Sequence, residues 1–190
     1  MPQQSRFSRL EAVAIGASAG GVTALREFFS LLKPTVPMAF FVVLHIGRKS
    51  YLDQVLSRRD GPLVSFGNDG EMIEPGHVYI APPGYHLVAT SNLIRLSDAP
   101  PRLWSRPSID ILFESVAVNF QTRATGIILT GLLNDGAKGL RRIKEEGGTA
   151  IVQDPDEAEQ PSMPRSALAA TEVDHCLPLA KIVAVLNTPK

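Results

Sequence analysis

The sequence predicts an α/β fold in three layers, in which a doubly wound, mostly parallel sheet is covered by helices on both faces and carries an additional β-hairpin. Short apolar runs alternate along the chain with amphipathic stretches at helical spacing. The apolar runs are nearly continuous, which is typical of parallel strands that are buried on both faces. Near the middle of the chain, two short runs flank Thr90-Ser91-Asn92, and this pattern predicts the hairpin.

Six of the apolar runs have the length of strands in the main sheet. These predicted strands are Ala12–Ile15, Ala39–Leu44, Leu63–Phe66, His77–Ala81, Gly126–Thr130 and Thr149–Gln153. The two strands of the predicted hairpin are His86–Ala89 and Leu93–Leu96.

Four stretches place apolar residues at helical spacing between or after these strands. The predicted helices are Val22–Leu32, Ile109–Phe120, Ala137–Glu146 and Leu179–Leu186. Ser108 is the expected N-cap of the second helix, and Gly147-Gly148 is expected to end the third. The acidic, proline-containing stretch Asp154–Pro164 is predicted to be a surface loop.

Composition excludes several classes of protein. The 19 Lys and Arg residues balance the 19 Asp and Glu residues, so the overall charge does not attract the chain to nucleic acid or to an acidic membrane. The longest apolar run, Met38 to Leu44, is far shorter than the roughly 18 residues of a membrane span, and the polar N-terminus lacks the apolar region of a signal peptide. We therefore expect a cytoplasmic protein that neither binds nucleic acid nor inserts into a membrane.

Cysteine and histidine usage argues against a metal site. A single cysteine, Cys176, excludes an internal disulfide and a cysteine metal cluster, and we expect it to be a small core residue near the last strand. No histidine pair has the helical i, i+4 spacing of metal ligands. We therefore predict no metal and no cofactor.

Polar residues of three different types follow three of the predicted strands. Ser18 follows the first strand, His45 directly follows the second, and Asp135 lies in the loop after the strand that ends at Thr130. In sheets of this kind ligands gather at the carboxyl ends of the strands. A serine, a histidine and an aspartate at one sheet edge are the side chains needed for a nucleophile, a general base and an acid that orients the base.

The residues around Ser18 support this interpretation. Gly16-Ala17-Ser18-Ala19-Gly20 has the spacing G-x-S-x-G, which marks a sharp strand-to-helix turn that exposes a serine hydroxyl. Glycines allow a tight turn, and the following helix directs free N–H groups toward a developing oxyanion. The chain order Ser, His, Asp differs from the usual Ser, Asp, His order of α/β-hydrolases, but geometry and not order defines a triad.

Other interpretations of these residues remain open. The glycine-rich turn after the first strand also resembles a dinucleotide-binding loop, although the second strand should then end in an acid, where His45 stands. Ser18 could be only a small turn residue. His45 could be satisfied by backbone, and Asp135 could only form a turn or cap a helix, since Asp favours both positions.

Several segments, in order along nearly the whole chain, resemble the catalytic domain of the chemotaxis protein-glutamate methylesterases. They are Ile15–Gly21, Leu44-His45, Pro75–Pro82, Arg106–Asp110, Ile128–Gly131 with Asn134–Gly136, and Met163–Arg165. The resemblance assigns the catalytic serine, histidine and aspartate of the family to Ser18, His45 and Asp135. These are the residues that the strand ends had already singled out.

The resemblance implies a serine hydrolase that removes methyl esters from glutamate side chains of chemoreceptor-like proteins, and many members of the family also deamidate certain glutamines. His45 would accept the Ser18 proton, Asp135 would hold the His45 tautomer, and N–H groups near Ala19 or in the loop 131–133 would hold the oxyanion. The implied partners are methylated cytoplasmic helices of chemoreceptors. A separate receiver or methyltransferase protein is a further candidate partner.

The sequence departs from the family pattern in three ways. The usual enzyme has an N-terminal receiver domain, whereas the match here begins near Leu10, so we expect a tail over residues 1–9 and a single, stand-alone catalytic domain over residues 10–190. Leu132-Leu133 stands where the family often has Met-Gly, and Ser105 replaces a histidine that many members have. Leu133 would narrow the pocket or alter the loop, which leaves a catalytically weak docking or regulatory module as an alternative.

Overall fold

The computed structural model of the chain describes residues 10–45 and 50–188. The predicted tail over residues 1–9 lies outside the described residues. No helix in the described ranges is long and apolar enough to cross a membrane.

Strands and helices alternate over most of the described residues, as predicted, except that four strands follow one another between residues 63 and 97. The strands are β1 (Ala12–Ala17), β2 (Ala39–Leu44), β3 (Leu63–Phe66), β4 (His77–Ile80), β5 (His86–Ala89), β6 (Ile94–Ser97), β7 (Ala124–Ile128), β8 (Thr149–Gln153) and β9 (His175–Leu177). The helices are α1 (Gly21–Leu31), α2 (Leu52–Leu56), α3 (Ile109–Phe120), α4 (Ala137–Glu145), α5 (Ser162–Ala170) and α6 (Leu179–Leu186). A short 3₁₀ helix, Gln121–Arg123, follows α3.

Seven strands form the main sheet in the order β3-β4-β2-β1-β7-β8-β9, and every neighbouring pair is parallel. The strands β5 and β6 pair separately as an antiparallel hairpin. This arrangement confirms the predicted mostly parallel sheet and the additional hairpin. Both central strands, β1 and β2, are buried along their whole length, as their continuous apolar sequences predict.

Two hydrophobic cores lie on opposite faces of the sheet and make the fold three-layered. One core packs apolar residues of α1, α2 and α6 against the sheet, with Phe28, Phe29 and Ile182 fully or almost fully buried. The other packs α3, α4, α5 and the hairpin against the opposite face, with Phe113 and Leu140 fully buried. Burial of one apolar face per helix therefore accounts for the doubly wound arrangement.

The chain begins at the centre of the sheet and winds outward in both directions. From β1 it proceeds to β2, then to β3 at the edge of the sheet and back to β4 between β3 and β2, after which β7 follows on the other side of β1. The carboxyl end of β1 is therefore the switch point at which the winding reverses. Ligand sites of open α/β sheets lie at such points.

The predicted strands and helices agree with the observed ones to within two residues at each end. The largest shift is in β7, which covers Ala124–Ile128, although the Leu129 N–H still donates to the Gly16 carbonyl at 2.9 Å. Similarly, β1 continues two residues beyond Ile15, as far as Ala17, which pairs with Leu44.

The prediction of a loop over Asp154–Pro164 is wrong at its end, because α5 begins at Ser162. Pro164 lies in the first turn of this helix, where a backbone N–H has no intrahelical partner and its loss costs nothing. The proline therefore does not break the helix at this position, although in the sequence a proline is typical of a loop. The short helix α2 also lacked a sequence signal, since it has only five residues.

The expectation that Cys176 is a core residue is wrong. Cys176 lies in β9, a three-residue strand at the edge of the sheet that pairs only with β8, and it is exposed. The strand was missed in the sequence because it is short and mixes polar with apolar residues. An edge strand of this length is held by its backbone ladder to β8 and not by burial of its side chains.

Gly139 brings α4 into close contact with α3. A Cβ atom at this position would lie 2.6 Å from Phe113 Cβ and 3.0 Å from the Asp110 carbonyl oxygen. Gly139→Ala improves helix propensity by about 1 kcal/mol, but overpacking against backbone costs roughly 1–3 kcal/mol. We expect the substitution to lower the free energy of unfolding, measured by urea denaturation.

Lys138→Ala is the matched control for this prediction, because Lys138 is the exposed neighbour of Gly139 in the same helix. Lys138→Ala should change the free energy of unfolding by no more than about 0.5 kcal/mol. If Gly139→Ala stabilised the protein, the close approach of α3 and α4 would not constrain the fold.

Leu133 has a left-handed backbone conformation, with a φ of 65°, and is 70% exposed. This conformation costs a residue other than glycine roughly 1–2 kcal/mol. Leu133→Gly should therefore raise the free energy of unfolding by about 0.5–1 kcal/mol, after subtraction of the entropy that glycine adds to the unfolded chain. Leu132→Gly is the control, since Leu132 is not left-handed. Equal destabilisation by both substitutions would contradict the prediction.

Candidate active site

Ser18 and His45 lie side by side because the strands that precede them are paired. Ala17 and Leu44 are the last paired residues of β1 and β2, and the His45 N–H donates to the Ala17 carbonyl at 3.2 Å. Neighbouring strands lie about 4.8 Å apart, so the residues that follow them leave the sheet at about that separation. Both side chains are partly exposed at the switch point of the sheet.

The turn that carries Ser18 is fixed by the loop after β7. The Ser18 N–H donates to the Thr130 carbonyl at 3.0 Å, and the Thr130 hydroxyl donates to the Ala19 carbonyl, also at 3.0 Å. Gly20 ends the turn with a φ of 78°, a left-handed conformation that glycine adopts without strain. The second glycine of the G-x-S-x-G pattern is therefore required by the backbone at this position.

Gly16, the first glycine of the pattern, has a different role. A Cβ atom at Gly16 would collide with the side chain of Ile109, the first residue of α3. The absence of a side chain lets the N-terminus of α3 approach the end of β1. This contact places the free N–H groups of α3 next to the residues that follow the strand.

The carboxylate of Asp135 lies at the N-terminus of α3 and accepts four hydrogen bonds. Its Oδ1 accepts from the Ser108 hydroxyl and the Asp110 N–H, both at 3.0 Å. Its Oδ2 accepts from the Ile109 N–H at 2.8 Å and from His45 Nε2 at 2.9 Å. Three of these donors belong to the N-terminus of α3, where the helix dipole favours a negative charge.

The environment keeps the Asp135 carboxylate ionised. Burial raises the pKa of Asp135, but the hydrogen bonds from His45 and from the Asp110 and Ile109 N–H groups lower it by more, so the pKa is below its usual value. An ionised carboxylate only accepts hydrogen bonds, so His45 Nε2 must carry a proton. Among the described residues, Asp135 is the only hydrogen-bond partner of the His45 ring.

This pairing leaves Nδ1 of His45 unprotonated in the neutral ring, and Nδ1 is therefore the nitrogen that can accept a proton. The structure forms no hydrogen bond between the Ser18 hydroxyl and His45, both of which are described. Catalytic hydrogen bonds are often long before a substrate binds. The arrangement can remove a proton from a hydroxyl next to His45 and return it to a leaving group.

Backbone N–H groups beside Ser18 could stabilise an oxyanion. Within the described ranges, no acceptor is bound to the N–H of Ala19 or Leu132, whereas the Gly131 N–H donates to the Gln160 carbonyl at 3.0 Å. The two free donors thus lie in two adjacent loops, the turn that carries Ser18 and the loop after β7. Gly131 lies directly against the turn that carries Ser18, because a Cβ atom at Gly131 would lie 3.0 Å from Ser18 Cβ.

A second carboxylate, Asp110, lies behind Asp135 and was not predicted from the sequence. Its Oδ1 accepts from the N–H groups of Gly136 and Gly139, at 3.0 and 2.8 Å, and so holds the turn that contains Asp135. Its Oδ2 is buried without a hydrogen-bond partner among the described residues, and Arg102 Nε lies 4.0 Å away. Burial raises the pKa of Asp110, and the nearby charge of Asp135 raises it further.

His86 and Ser108 also contribute to the site through buried hydrogen bonds. Ser108 was predicted only as the N-cap of α3; its hydroxyl accepts from the Ile111 N–H and donates to Asp135. The sequence gives no signal for the contact with Asp135, because the two residues are 27 positions apart.

In residues 10–45 and 50–188, no group of three or more His, Cys, Asp or Glu side chains is arranged to hold a metal ion.

The chain is similar to solved and curated proteins over nearly its whole length. The catalytic domain of the CheB methylesterase of Thermotoga maritima superposes with a TM-score of 0.84 at 30% identity, covering 93% of this chain and 97% of that one. A relative from Leptospira interrogans is 41% identical over 175 residues, which are 90% of this chain and 91% of that protein. These likenesses confirm the predicted fold.

Two longer relatives are named protein-glutamate methylesterase/protein-glutamine glutaminase. The protein from Anaeromyxobacter dehalogenans is 40% identical over 96% of this chain, and the one from Geobacter metallireducens is 36% identical over 95%. The chain spans about half the length of these two, 54% and 53% respectively. Their names agree with the predicted enzyme class, carboxylic ester hydrolase.

The family itself follows from a match over most of the chain. A family model described as CheB methylesterase matches residues 13–186, a range that includes Ser18, His45 and Asp135. The chain therefore belongs to the CheB methylesterase family.

Proposed function

We propose that the protein is a serine hydrolase that removes methyl esters from glutamate side chains, with Ser18 as nucleophile, His45 as general base and Asp135 as the acid that orients His45. The observation that carries the proposal is the 2.9 Å hydrogen bond between His45 Nε2 and the buried, ionised Asp135 carboxylate, at the strand end next to Ser18. A neutral histidine with one nitrogen fixed by a carboxylate is a suitable base for an adjacent hydroxyl.

The first half of the reaction forms an acyl-enzyme. Ser18 Oγ attacks the carbonyl carbon of the ester while its proton passes to His45 Nδ1. The bond between the carbonyl carbon and the methoxy oxygen then breaks, and the imidazolium returns the proton to that oxygen, so methanol leaves. Asp135 stabilises the imidazolium while it exists. The N–H groups of Ala19 and Leu132 are the proposed donors to the oxyanion.

The second half restores the enzyme. Water attacks the acyl carbon and gives a proton to His45, after which the bond to Ser18 Oγ breaks and the serine recovers that proton. A glutamate side chain is the product. The same steps applied to a glutamine amide release ammonia in place of methanol, so we propose glutamine deamidation as a second activity of the site.

The proposed substrates are methylated cytoplasmic helices of chemoreceptors, since relatives are named for protein-glutamate methylesterase and protein-glutamine glutaminase activities. The partly exposed Ser18 is consistent with a macromolecular substrate, because a side chain on a helix surface can only reach an open site. A separate receiver or methyltransferase protein is a further proposed partner.

Ser18→Ala should abolish methanol release from a methylated chemoreceptor cytoplasmic fragment. Loss of a nucleophile from a triad reduces kcat on the order of 10⁶-fold, because the triad acts as a unit. Ser30→Ala is the matched control, since Ser30 lies at the exposed end of α1 and its hydroxyl donates to the Glu27 carbonyl within the same helix. It should release methanol at the wild-type rate.

A serine-reactive fluorophosphonate separates this proposal from the alternatives. Wild type and Ser30→Ala should be labelled at Ser18, and Ser18→Ala should not be labelled. Labelling of Ser18 without turnover of any receptor fragment would indicate a different ester substrate. No labelling of wild type would contradict the hydrolase proposal and favour a docking or nucleotide-binding role.

Asp135→Asn should reduce kcat by roughly 10⁴-fold and leave the fold intact, because an amide in place of the carboxylate favours the wrong His45 tautomer. The measurement is steady-state methanol release, with circular dichroism to verify folding. Asp69→Asn serves as the control, since Asp69 is exposed and pairs with Arg95 on the hairpin. An unchanged kcat in Asp135→Asn would mean that Asp135 only caps α3.

A further inference from the structure

A chain of buried hydrogen bonds continues behind Asp135, away from His45. The Asp135 Oδ1 atom accepts from the Ser108 hydroxyl at 3.0 Å, and the Ser108 N–H donates to His86 Nδ1 at 3.1 Å. The other nitrogen of His86, Nε2, lies 3.2 Å from the Pro100 carbonyl oxygen. Ser108 and His86 are both completely buried, so water does not compete for these bonds.

The partners of His86 determine its protonation state. A carbonyl oxygen only accepts, so Nε2 must carry a proton, and a backbone N–H only donates, so Nδ1 must be unprotonated. His86 is therefore neutral and in a single tautomer. A proton on Nδ1 would face the Ser108 N–H, and the two donors would repel each other.

Ser108 connects this fixed ring to the site. It is the N-cap of α3, and the two following N–H groups, of Ile109 and Asp110, both donate to Asp135. Its own N–H is fixed by His86 and its hydroxyl by Asp135. The position of the Ser108 backbone thus sets the direction of three of the four donors that hold the Asp135 carboxylate.

We propose that His86 and Ser108 are positioning residues for the proposed triad: neutral His86 fixes the backbone of Ser108, and Ser108 fixes the Asp135 carboxylate that orients His45. The proposal rests on the proposed function, since it concerns the same site. Neither side chain touches the reacting atoms, so both act through Asp135. The cost of losing them appears in kcat, while KM for the substrate stays nearly unchanged.

The neutral state of His86 makes the arrangement sensitive to acid. Burial lowers the pKa of His86, the Pro100 carbonyl raises it and the charge of Arg106 lowers it, and the net pKa is below the ordinary value. Arg106 and Asp135 are the charged groups that face the ring. Because the folded-state pKa is depressed, the contribution of His86 is complete above about pH 6.5 and is lost as pH falls through the folded-state value.

Two pairs of variants test the proposal by methanol release. Ser108→Thr keeps the hydroxyl, and Ser108→Ala removes it. His86→Asn keeps an acceptor where Nδ1 stands, and His86→Leu leaves the buried Ser108 N–H without one. We expect kcat to fall on the order of 10- to 100-fold in Ser108→Ala and His86→Leu, and less than about 10-fold in Ser108→Thr and His86→Asn.

The pH profile distinguishes positioning from a general packing role. In wild type, protonation of His86 removes the acceptor of the Ser108 N–H, so kcat/KM should fall additionally as pH falls through the lowered folded-state pKa of His86. In His86→Asn this proton uptake is absent, so the acid side of the profile should fall less steeply than in wild type. Equal kcat in His86→Asn and His86→Leu, together with an unchanged profile, would overturn the proposal.

A measurement without substrate keeps the two proposals separable. Imidazole ¹⁵N NMR of the Ser18→Ala protein at pH 7 should show His86 protonated at Nε2 and not at Nδ1. The opposite tautomer, or a charged ring, would overturn the positioning role even if Ser18 is the nucleophile. Conversely, the expected tautomer together with a wild-type protein that the fluorophosphonate does not label would refute the proposed function alone.

Discussion

The binding of the Asp135 carboxylate at the N-terminus of α3 is the interaction on which the rest of the site depends. Two backbone N–H groups, one hydroxyl and one imidazole nitrogen surround a side chain that is almost completely buried. A buried carboxylate without these donors would be protonated or would destabilise the fold. Since the donors compensate for burial, the charge persists and fixes the one histidine that lies next to Ser18.

Close packing around Ile109 places the N-terminus of α3 next to Asp135. Ile109 approaches both Gly16 and Gly136 so closely that a side chain at either position would collide with it. The start of α3 is therefore wedged between the end of β1 and the turn that carries Asp135. Gly16 on the sheet and Gly136 in the turn after Asp135 thus leave the space in which the start of α3 packs, and the N-terminus of α3 is where the negative charge of Asp135 is stable.

The sequence predicted the sheet, most helices and the three residues at the strand ends, because each leaves a local pattern. Continuous apolar runs identify buried strands, and a polar residue directly after such a run, such as His45, is conspicuous. Asp110, His86 and the second role of Ser108 could not be predicted, because their partners are distant in sequence. The predictions for Cys176 and Pro164 were wrong for another reason. Cysteine is usually buried, but Cys176 lies on an edge strand and is exposed. Proline usually ends a helix, but Pro164 lies in the first turn of α5, where it is tolerated.

The orientation of the His45 ring has a mechanical consequence. Trypsin-like triads use Nδ1 for the aspartate and Nε2, the nitrogen farther from the backbone, for the serine. In this protein Asp135 binds Nε2, so the nitrogen available for the proposed proton transfer from Ser18 is Nδ1, which is nearer to the histidine backbone. Because Nδ1 is close to the backbone, rotation of the His45 side chain moves it only a short way. The distance from Ser18 Oγ to His45 Nδ1 is therefore set mainly by the spacing of β1 and β2. The spacing of the two strands thus sets the distance between Ser18 and His45. A slight increase in that spacing would raise the barrier to the proposed proton transfer, just as a change of either side chain would.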